Sequence, residues 1–520
     1  MIWSPTPFMK LPYPAIARLW PVFLLFALGI LSRWLFRSQL IQEWDAGNFV
    51  MAVNHFDLRQ GIPHLPGTFV LFVFAGRALT IFWPDPHTSL VMVSVLASGL
   101  AAVALFILGR AWFNPRVGWA AALLMLSSPS VWFYGEMSLS YMAEFFWVIP
   151  ILFTAYYAGQ GDREASPQEN RRALWILAAL MGLAGGIRPN TPVFLMPLAI
   201  AALGRGLWLR KFSGRDAIVV LGIGLGSALV WLIPMWAMSG GPLAYWHLLQ
   251  IWMHDHRQAT RTIDDALGNF TFLLRAIVFV LGFGMLPGLW ALGRWRRSLL
   301  SLLRQDWRGQ VLVLAIVPGF LYFLAVHIKR QGHSFTIMPA LIILAAVAIV
   351  RLVQTLEPRY PRAWAIVLTL VIGGNAAFFL FGPAEFRTRA KIQEFDRTYG
   401  ERLAVIRANF PPTTTAVLAS KPYGRLPEVY LPDYVFPNLS DRRSEIPVSL
   451  PAQTQTLVFL DDEIYSKPEQ DRGFQKLPLS GEADLRYLAI PGDRQAVVSK
   501  DAVELVEPIE TAPTPTHVTP

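Results

Sequence analysis

Apolar runs long enough to cross a bilayer succeed one another through most of the chain. A crossing needs ~20 mostly apolar residues, and about eleven stretches qualify: 15–36, 88–109, 117–134, 141–158, 173–187, 190–204, 216–238, 269–292, 309–327, 335–352 and 363–382. The first of these lacks a small-residue cleavage site and is followed by many more such runs, so it reads as a retained span rather than a secretory signal. Residues 66–83 are also apolar, but the stretch is short and carries Arg77 near its middle, which predicts an interfacial or re-entrant helix. After Phe381 the sequence turns polar and rich in Pro, Asp and Arg. There, 384–409 has helical periodicity, and 414–418, 456–460, 487–490 and 496–499 have the pattern of short strands. The expected architecture is an α-helical polytopic membrane domain over 1–382, with about eleven transmembrane helices and one interfacial helix. A soluble α/β domain over 383–506 and a Pro/Thr-rich disordered tail over 507–520 complete it.

Composition agrees with the bilayer as main solvent: 54% of residues are hydrophobic and 15% charged. A net charge of +10 would suggest nucleic acid in a soluble protein, but the arginines lie between apolar runs, where they mark cytoplasmic loops and anionic headgroups. Nucleic-acid binding is therefore set aside. The absence of cysteine excludes disulfides, a thiolate nucleophile and Cys-ligated metal. Placing Lys10 and Arg18 inside makes the loops 110–116, 162–172, 205–215, 294–308 and 351–362 cytoplasmic, and every one is basic. The outer segments are then 38–87, 135–140, the turn at Arg188, 239–268, 328–334 and everything after Gly382, a periplasmic or extracellular face of the cell membrane. Gly222, Gly224 and Gly226 lie within a span, where Gly-x-x-x-Gly serves helix packing rather than phosphate binding. No Walker sequence or Gly-x-Ser-x-Gly elbow is present, which argues against an ATPase or an α/β-hydrolase.

Candidate chemistry gathers in the outer segments. Gln42-Glu43-Trp44-Asp45 places two carboxylates beside the membrane, suited to general-base or metal work; the alternative makes Asp45 the cap of a helix over 46–56 and Trp44 an interfacial anchor. Glu136 sits at the outer interface, equally able to bind substrate or to serve structure. Arg188 and the cluster His327, Lys329, Arg330 and His333 run against the charge bias that sets the topology. Cations held there suit an anionic headgroup, since a phosphate takes charge-assisted hydrogen bonds from Arg or Lys; snorkelling toward ordinary lipid is the alternative. His254-Asp255-His256-Arg257 could contribute to a metal site only with ligands from elsewhere, so it reads as a solvated loop that closes over substrate from the hinge at Ser239-Gly240-Gly241-Pro242.

Taken in order along the chain, these features resemble the GT-C class of membrane glycosyltransferases, in particular the bacterial relatives of protein O-mannosyltransferases and of the lipid A aminoarabinose transferase. Glu43-Trp44-Asp45 fits the acid-x-acid motif of that class in the first outer loop. The Pro-containing break at 61–67, Arg188-Pro189, Gly240-Gly241 to Tyr245, and the basic 329–333 loop before Met338-Pro339-Ala340 continue the likeness over roughly 15–382. The usual pair of adjacent prolines is here His64-Leu65-Pro66, and Ser140 or Tyr141 stands where several relatives have Asp. The resemblance implies inverting transfer of a sugar from a polyprenyl-phosphate donor to a hydroxyl of a glycan, lipid or protein acceptor on the outer side, with no cofactor required and no metal assigned. Asp45 would deprotonate the acceptor, positioned by Glu43 or Glu136. Lys329, Arg330 and Arg188 would hold the donor phosphate, His333 adding a hydrogen bond, with Tyr141 and His254 as further substrate contacts. A lipid or solute transporter and a non-catalytic assembly partner are the competing readings.

Overall fold

The computed structural model describes residues 19–160, 166–255, 262–325, 330–420, 423–437, 448–461, 474–480, 484–498 and 503–506. The chain divides into two compact units: the first comprises Met1–Ser38 and Phe49–Lys391, the second Gln39–Asn48 and Ile392–Pro520. Of the first outer segment 38–87, read from sequence as part of the membrane domain, Gln39–Asn48 thus groups with the C-terminal residues. The tail 507–520 lies outside the described residues.

In the first unit, eight described helices are long and apolar enough to cross a membrane: Pro86–Trp112, Tyr141–Gly159, Asn190–Trp208, Gly214–Met238, Asp264–Arg294, Trp307–Ala325, Met338–Leu356 and Ala363–Phe381. The remaining expected spans form the shorter helices Trp20–Trp34, Pro115–Ser127 with Pro129–Tyr134, and Pro167–Ala184. Local sequence sets their starts. Asp85 accepts from the Thr88 amide at 2.8 Å ahead of Pro86, and Asn114 from the Val117 amide at 3.1 Å ahead of Pro115; a capping residue followed by proline is a strong initiation signal. Ser128-Pro129 breaks the run 117–134 in two, because Pro129 has no N–H to continue the first helix.

Pro86–Trp112 is the hub, packed against Trp20–Trp34, Val70–Leu79, Pro115–Ser127 and Tyr141–Gly159. The expected interfacial helix is Val70–Leu79, with Val70, Phe72, Val73 and Gly76 buried and Arg77 exposed. The glycines at 222 and 226 face open space; the close helix approach is made from the other side, where a Cβ on Gly182 would lie 2.3 Å from the Gly224 carbonyl oxygen. Pro167–Ala184 therefore packs on Gly214–Met238 through Gly182.

The second unit is α/β. Its strands are β1 (Thr415–Leu418), β2 (Val448–Ser449), β3 (Thr456–Phe459), β4 (Gln475–Pro478), β5 (Asp484–Ala489), β6 (Gln495–Val498) and β7 (Val503–Val506). Four form a sheet in the order β1-β3-β5-β4, with β1 and β3 parallel and the other pairs antiparallel. The other three form an antiparallel sheet, β2-β6-β7. Leu418, Leu457, Phe459 and Val498 share a buried core, and the helix Arg389–Asn409 buries Ile392, Phe395, Leu403 and Ile406, a spacing that keeps one face apolar.

Candidate functional site

A polar cluster is assembled in the first unit where four elements meet. Arg188 follows Pro167–Ala184, and Pro189 then opens Asn190–Trp208. Its Nε lies 3.1 Å from Glu144 Oε2, with the two side chains 10% and 1% exposed. Nη1 donates to the Ser140 hydroxyl at 3.3 Å, and the guanidinium carbon stands 4.5 Å from the Tyr141 ring centroid, a cation–π distance. Nη2 has no acceptor among the described residues. Glu144, in the first turn of Tyr141–Gly159, also accepts from Thr191 at 2.7 Å and from Thr336 at 2.5 Å. One buried carboxylate thereby ties together Asn190–Trp208, the turn Gln331–Thr336 and the Arg188 turn. Hydrogen bonds to a charged acceptor are stronger than neutral ones, and here both hydroxyls converge on Oε1 while Oε2 faces the Arg188 guanidinium.

Tyr141 is the second centre. Its ring lies 5.8 Å from that of His333, 4.9 Å from Tyr134 and 6.1 Å from Phe335. Arg387 brings another guanidinium 5.2 Å from the Tyr134 ring. The Arg330 carbonyl accepts from the His333 amide at 3.2 Å, closing the turn before Met338–Leu356, and both residues are half-buried. The Leu71 amide donates to Gly186 O at 2.8 Å, so the interfacial helix starts beside the Arg188 turn. The Tyr245 hydroxyl donates to Pro66 O at 2.9 Å, fixing the start of Pro242–Asp255 to the Pro-containing break. The structure thus brings together Arg188, Tyr141 and His333 from the predicted set. Lys329 and His327 lie outside the described residues.

Two predicted residues stand differently. Glu136 is fully buried and interacts electrostatically with Arg33, itself fully buried over the Trp132 ring at 5.0 Å and donating to Leu126 O at 2.8 Å. These surroundings favour the structural alternative for Glu136. Beside it, His87 bridges Ser38 O at 3.2 Å and the Ser138 hydroxyl at 3.1 Å, which fits a proton on Nε2 and an accepting Nδ1. His254 is exposed near the end of the helix Pro242–Asp255, so that part of the expected loop is helical; His256 and Arg257 lie outside the described residues.

Glu43 and Asp45 belong to the second unit. The helix runs Trp44–Asn54, placing Asp45 within its first turn rather than at the cap; Glu43 immediately precedes it and its carbonyl accepts from the Gly47 amide at 3.2 Å. The residues before the helix are pinned by Asp396, whose carboxylate oxygens accept from the Gln39 amide at 2.9 Å and the Leu40 amide at 3.2 Å. Burial pushes the Asp396 carboxyl up to about 6, against the downward pull of those amides and of the Gln42 side chain. The Ile41 amide donates to the Tyr430 hydroxyl at 3.0 Å. Arg425, paired with Glu428, stands 5.5 Å from the Trp44 ring. Sequence reasoning missed Glu144, Thr191, Thr336 and Arg387 in the first unit and Asp396, Arg425 and Tyr430 in the second. Among the described residues, no three His, Asp or Glu side chains are grouped to hold a metal ion.

No protein-family model and no curated protein matches the sequence. Solved structures do match the fold. ArnT from Cupriavidus metallidurans in the apo state gives a TM-score of 0.58 at 14% identity, covering 91% of this chain and 98% of that one. The same protein bound to undecaprenyl phosphate gives 0.57 at 13% identity, over 92% and 98%. An Archaeoglobus fulgidus oligosaccharyltransferase gives 0.48 at 13% identity, over 85% of this chain and 69% of that one. At such identities the likeness is one of fold alone: the chain shares the polytopic helical architecture of ArnT over nearly its whole length.

Proposed function

We propose that this chain is a membrane glycosyltransferase that moves a sugar from a polyprenyl-phosphate donor to an acceptor hydroxyl on the non-cytoplasmic side, with inversion and without a resident cofactor. The observation that carries this reading is the near full-length fold likeness to ArnT, which was crystallised with undecaprenyl phosphate. The Arg188 cluster supports it chemically. In an apolar bundle, a guanidinium oriented by Glu144 and Ser140 is suited to an anionic headgroup through Nη2, the nitrogen that neither residue engages.

In the proposed reaction the acceptor oxygen attacks the anomeric carbon as the bond to the donor phosphate breaks. Asp45 takes the acceptor proton, Glu43 positions the hydroxyl, and polyprenyl phosphate leaves with the electron pair. Arg188, Lys329 and Arg330 stabilise the departing charge, and His333 adds a hydrogen bond; stabilising charge that develops in the transition state lowers the barrier directly. Incubating the purified protein with candidate polyprenyl-phosphate sugars, and detecting the freed lipid phosphate by mass spectrometry, tests the proposal. Release that depends on added acceptor is expected. No release from any donor, with donor binding demonstrated, would favour the transporter.

A further inference from the structure

The segment that leads through Glu43 into the helix bearing Asp45 is held by residues more than three hundred positions away. Three successive backbone N–H groups, those of Gln39, Leu40 and Ile41, end on side chains of the C-terminal residues Asp396 and Tyr430. The Gln42 side chain hydrogen-bonds Asp396 as well. Arg425 packs against Trp44, between the two acids, and beyond Asp45 so closely against Gly47 that a Cβ there would lie 2.3 Å from Arg425 Cβ. Arg425 is itself buried and held by Glu428. The acidic pair is therefore clamped before and after, and both halves of the clamp belong to one compact unit.

We infer that the C-terminal unit is a positioning element of the transferase, with Asp396, Tyr430 and Arg425 setting where the Glu43 and Asp45 carboxylates stand when the acceptor proton is taken. The inference rests on the reaction proposed above. Its physical basis is the steep dependence of proton transfer on geometry: a displacement of ~1 Å can cost ~100-fold in rate, and a catalytic group holds its place only when its supports are fixed. The stretch before the helix has no core of its own to provide that precision, whereas a sheet and helix do. Gly47 has a specific role in this account, since any side chain there would push Arg425 away from the motif.

Asp396→Ala and Gly47→Ala attack the clamp from its two sides, and both can be read by hydrogen exchange and by transfer kinetics on the full-length protein. In Asp396→Ala, exchange at the Gln39 and Leu40 amides should quicken by at least about 10-fold, with β1 and β3 amides unchanged as the check on folding. The kcat for transfer should fall by about 10- to 100-fold while the donor KM stays within about 3-fold, because the donor phosphate is held elsewhere. Asp396→Asn, which keeps one acceptor oxygen, should fall between the two. Gly47→Ala should reproduce the kcat loss with every C-terminal residue native. Faster exchange with an unchanged kcat would overturn the positioning role, and unchanged exchange would overturn the clamp. If the wild-type chain transfers no sugar while exchange in the variant still quickens, the enzyme reading fails and the clamp survives as a tether alone.

Discussion

Separating Glu144 from Arg188 gives the most direct measure of what the buried cluster contributes. With exposures of 1% and 10%, neither side chain can recover hydration in place once its partner is removed. Breaking a buried ion pair by deleting one member costs about 3–5 kcal/mol. Glu144→Ala should reach that range, since it also strips the acceptor from Thr191 and Thr336. Glu144→Gln keeps an acceptor oxygen for the two hydroxyls and should cost less, about 2–3 kcal/mol, the value of a charge-assisted hydrogen bond. Arg188→Met leaves a lone carboxylate with only two hydroxyl donors and should resemble Glu144→Ala. Combining Glu144→Ala with Arg188→Met removes both charges, and such replacements are often close to neutral, so the double variant should be more stable than either single one. Detergent-solubilised protein titrated with SDS gives the four unfolding free energies of the cycle, and a coupling of at least about 2 kcal/mol is expected. If Arg188 holds the donor phosphate as proposed, sugar transfer should be lost in the double variant despite its recovered stability. Single effects that add to within about 0.5 kcal/mol would refute the pairing; transfer by the double variant would refute the assignment of Arg188 to the donor.

Asp45→Asn should leave donor binding intact and reduce transfer by about 10²–10⁴-fold, the usual contribution of a general base, measured as released lipid phosphate; a mild effect would instead fit a transporter. The Asp396 carboxyl, at about 6 in the folded unit against an ordinary 3.8, binds its proton more tightly when folded, so its stabilising contribution is fully present below the lower value and is lost as pH rises through the upper one. Between pH 7 and 5 the wild type should gain about 1 kcal/mol over Asp396→Asn, read from exchange protection of β3 and β5 amides after correction for intrinsic rates, and a relative loss would reverse the argument. Gly182→Ala should destabilise by about 1–3 kcal/mol through overpacking against the Gly224 carbonyl. Gly222→Ala, with nothing within 4 Å, should stay within about 0.5 kcal/mol, as SDS titration can verify.

The membrane helices were legible because a long apolar run is an unambiguous signal, and even Val70–Leu79 was marked by its length and by Arg77. The strands at 415–418 and 456–459 were legible for a similar reason, being apolar runs between turns. β4 was not: Gln475-Lys476-Leu477-Pro478 is a short, polar edge strand whose one mostly buried position gives no alternation to read. In the candidate site, Arg188 announced itself as a cation amid apolar sequence, but its partner did not. Glu144 lies 44 positions earlier at a helix start, and only the packing of Tyr141–Gly159 beside the Arg188 turn makes them meet. Tyr141 and His333, named separately from sequence, come together for the same topological reason. The acidic pair was visible as a local motif, whereas Asp396, Arg425 and Tyr430 act across the length of the chain, where no local pattern could disclose them.

The separation of 357 positions between Gln39 and Asp396 also has a temporal meaning. A ribosome adding about 5–20 residues per second needs roughly 20–70 s to supply the second after the first. During that interval the nascent loop has been delivered without its restraints, and a prematurely terminated polypeptide would insert its spans yet never acquire them. Maturation of the acidic motif is thus deferred until Asp396, Arg425 and Tyr430 have all been made, so that a membrane-inserted fragment ending before them carries the motif without its supports.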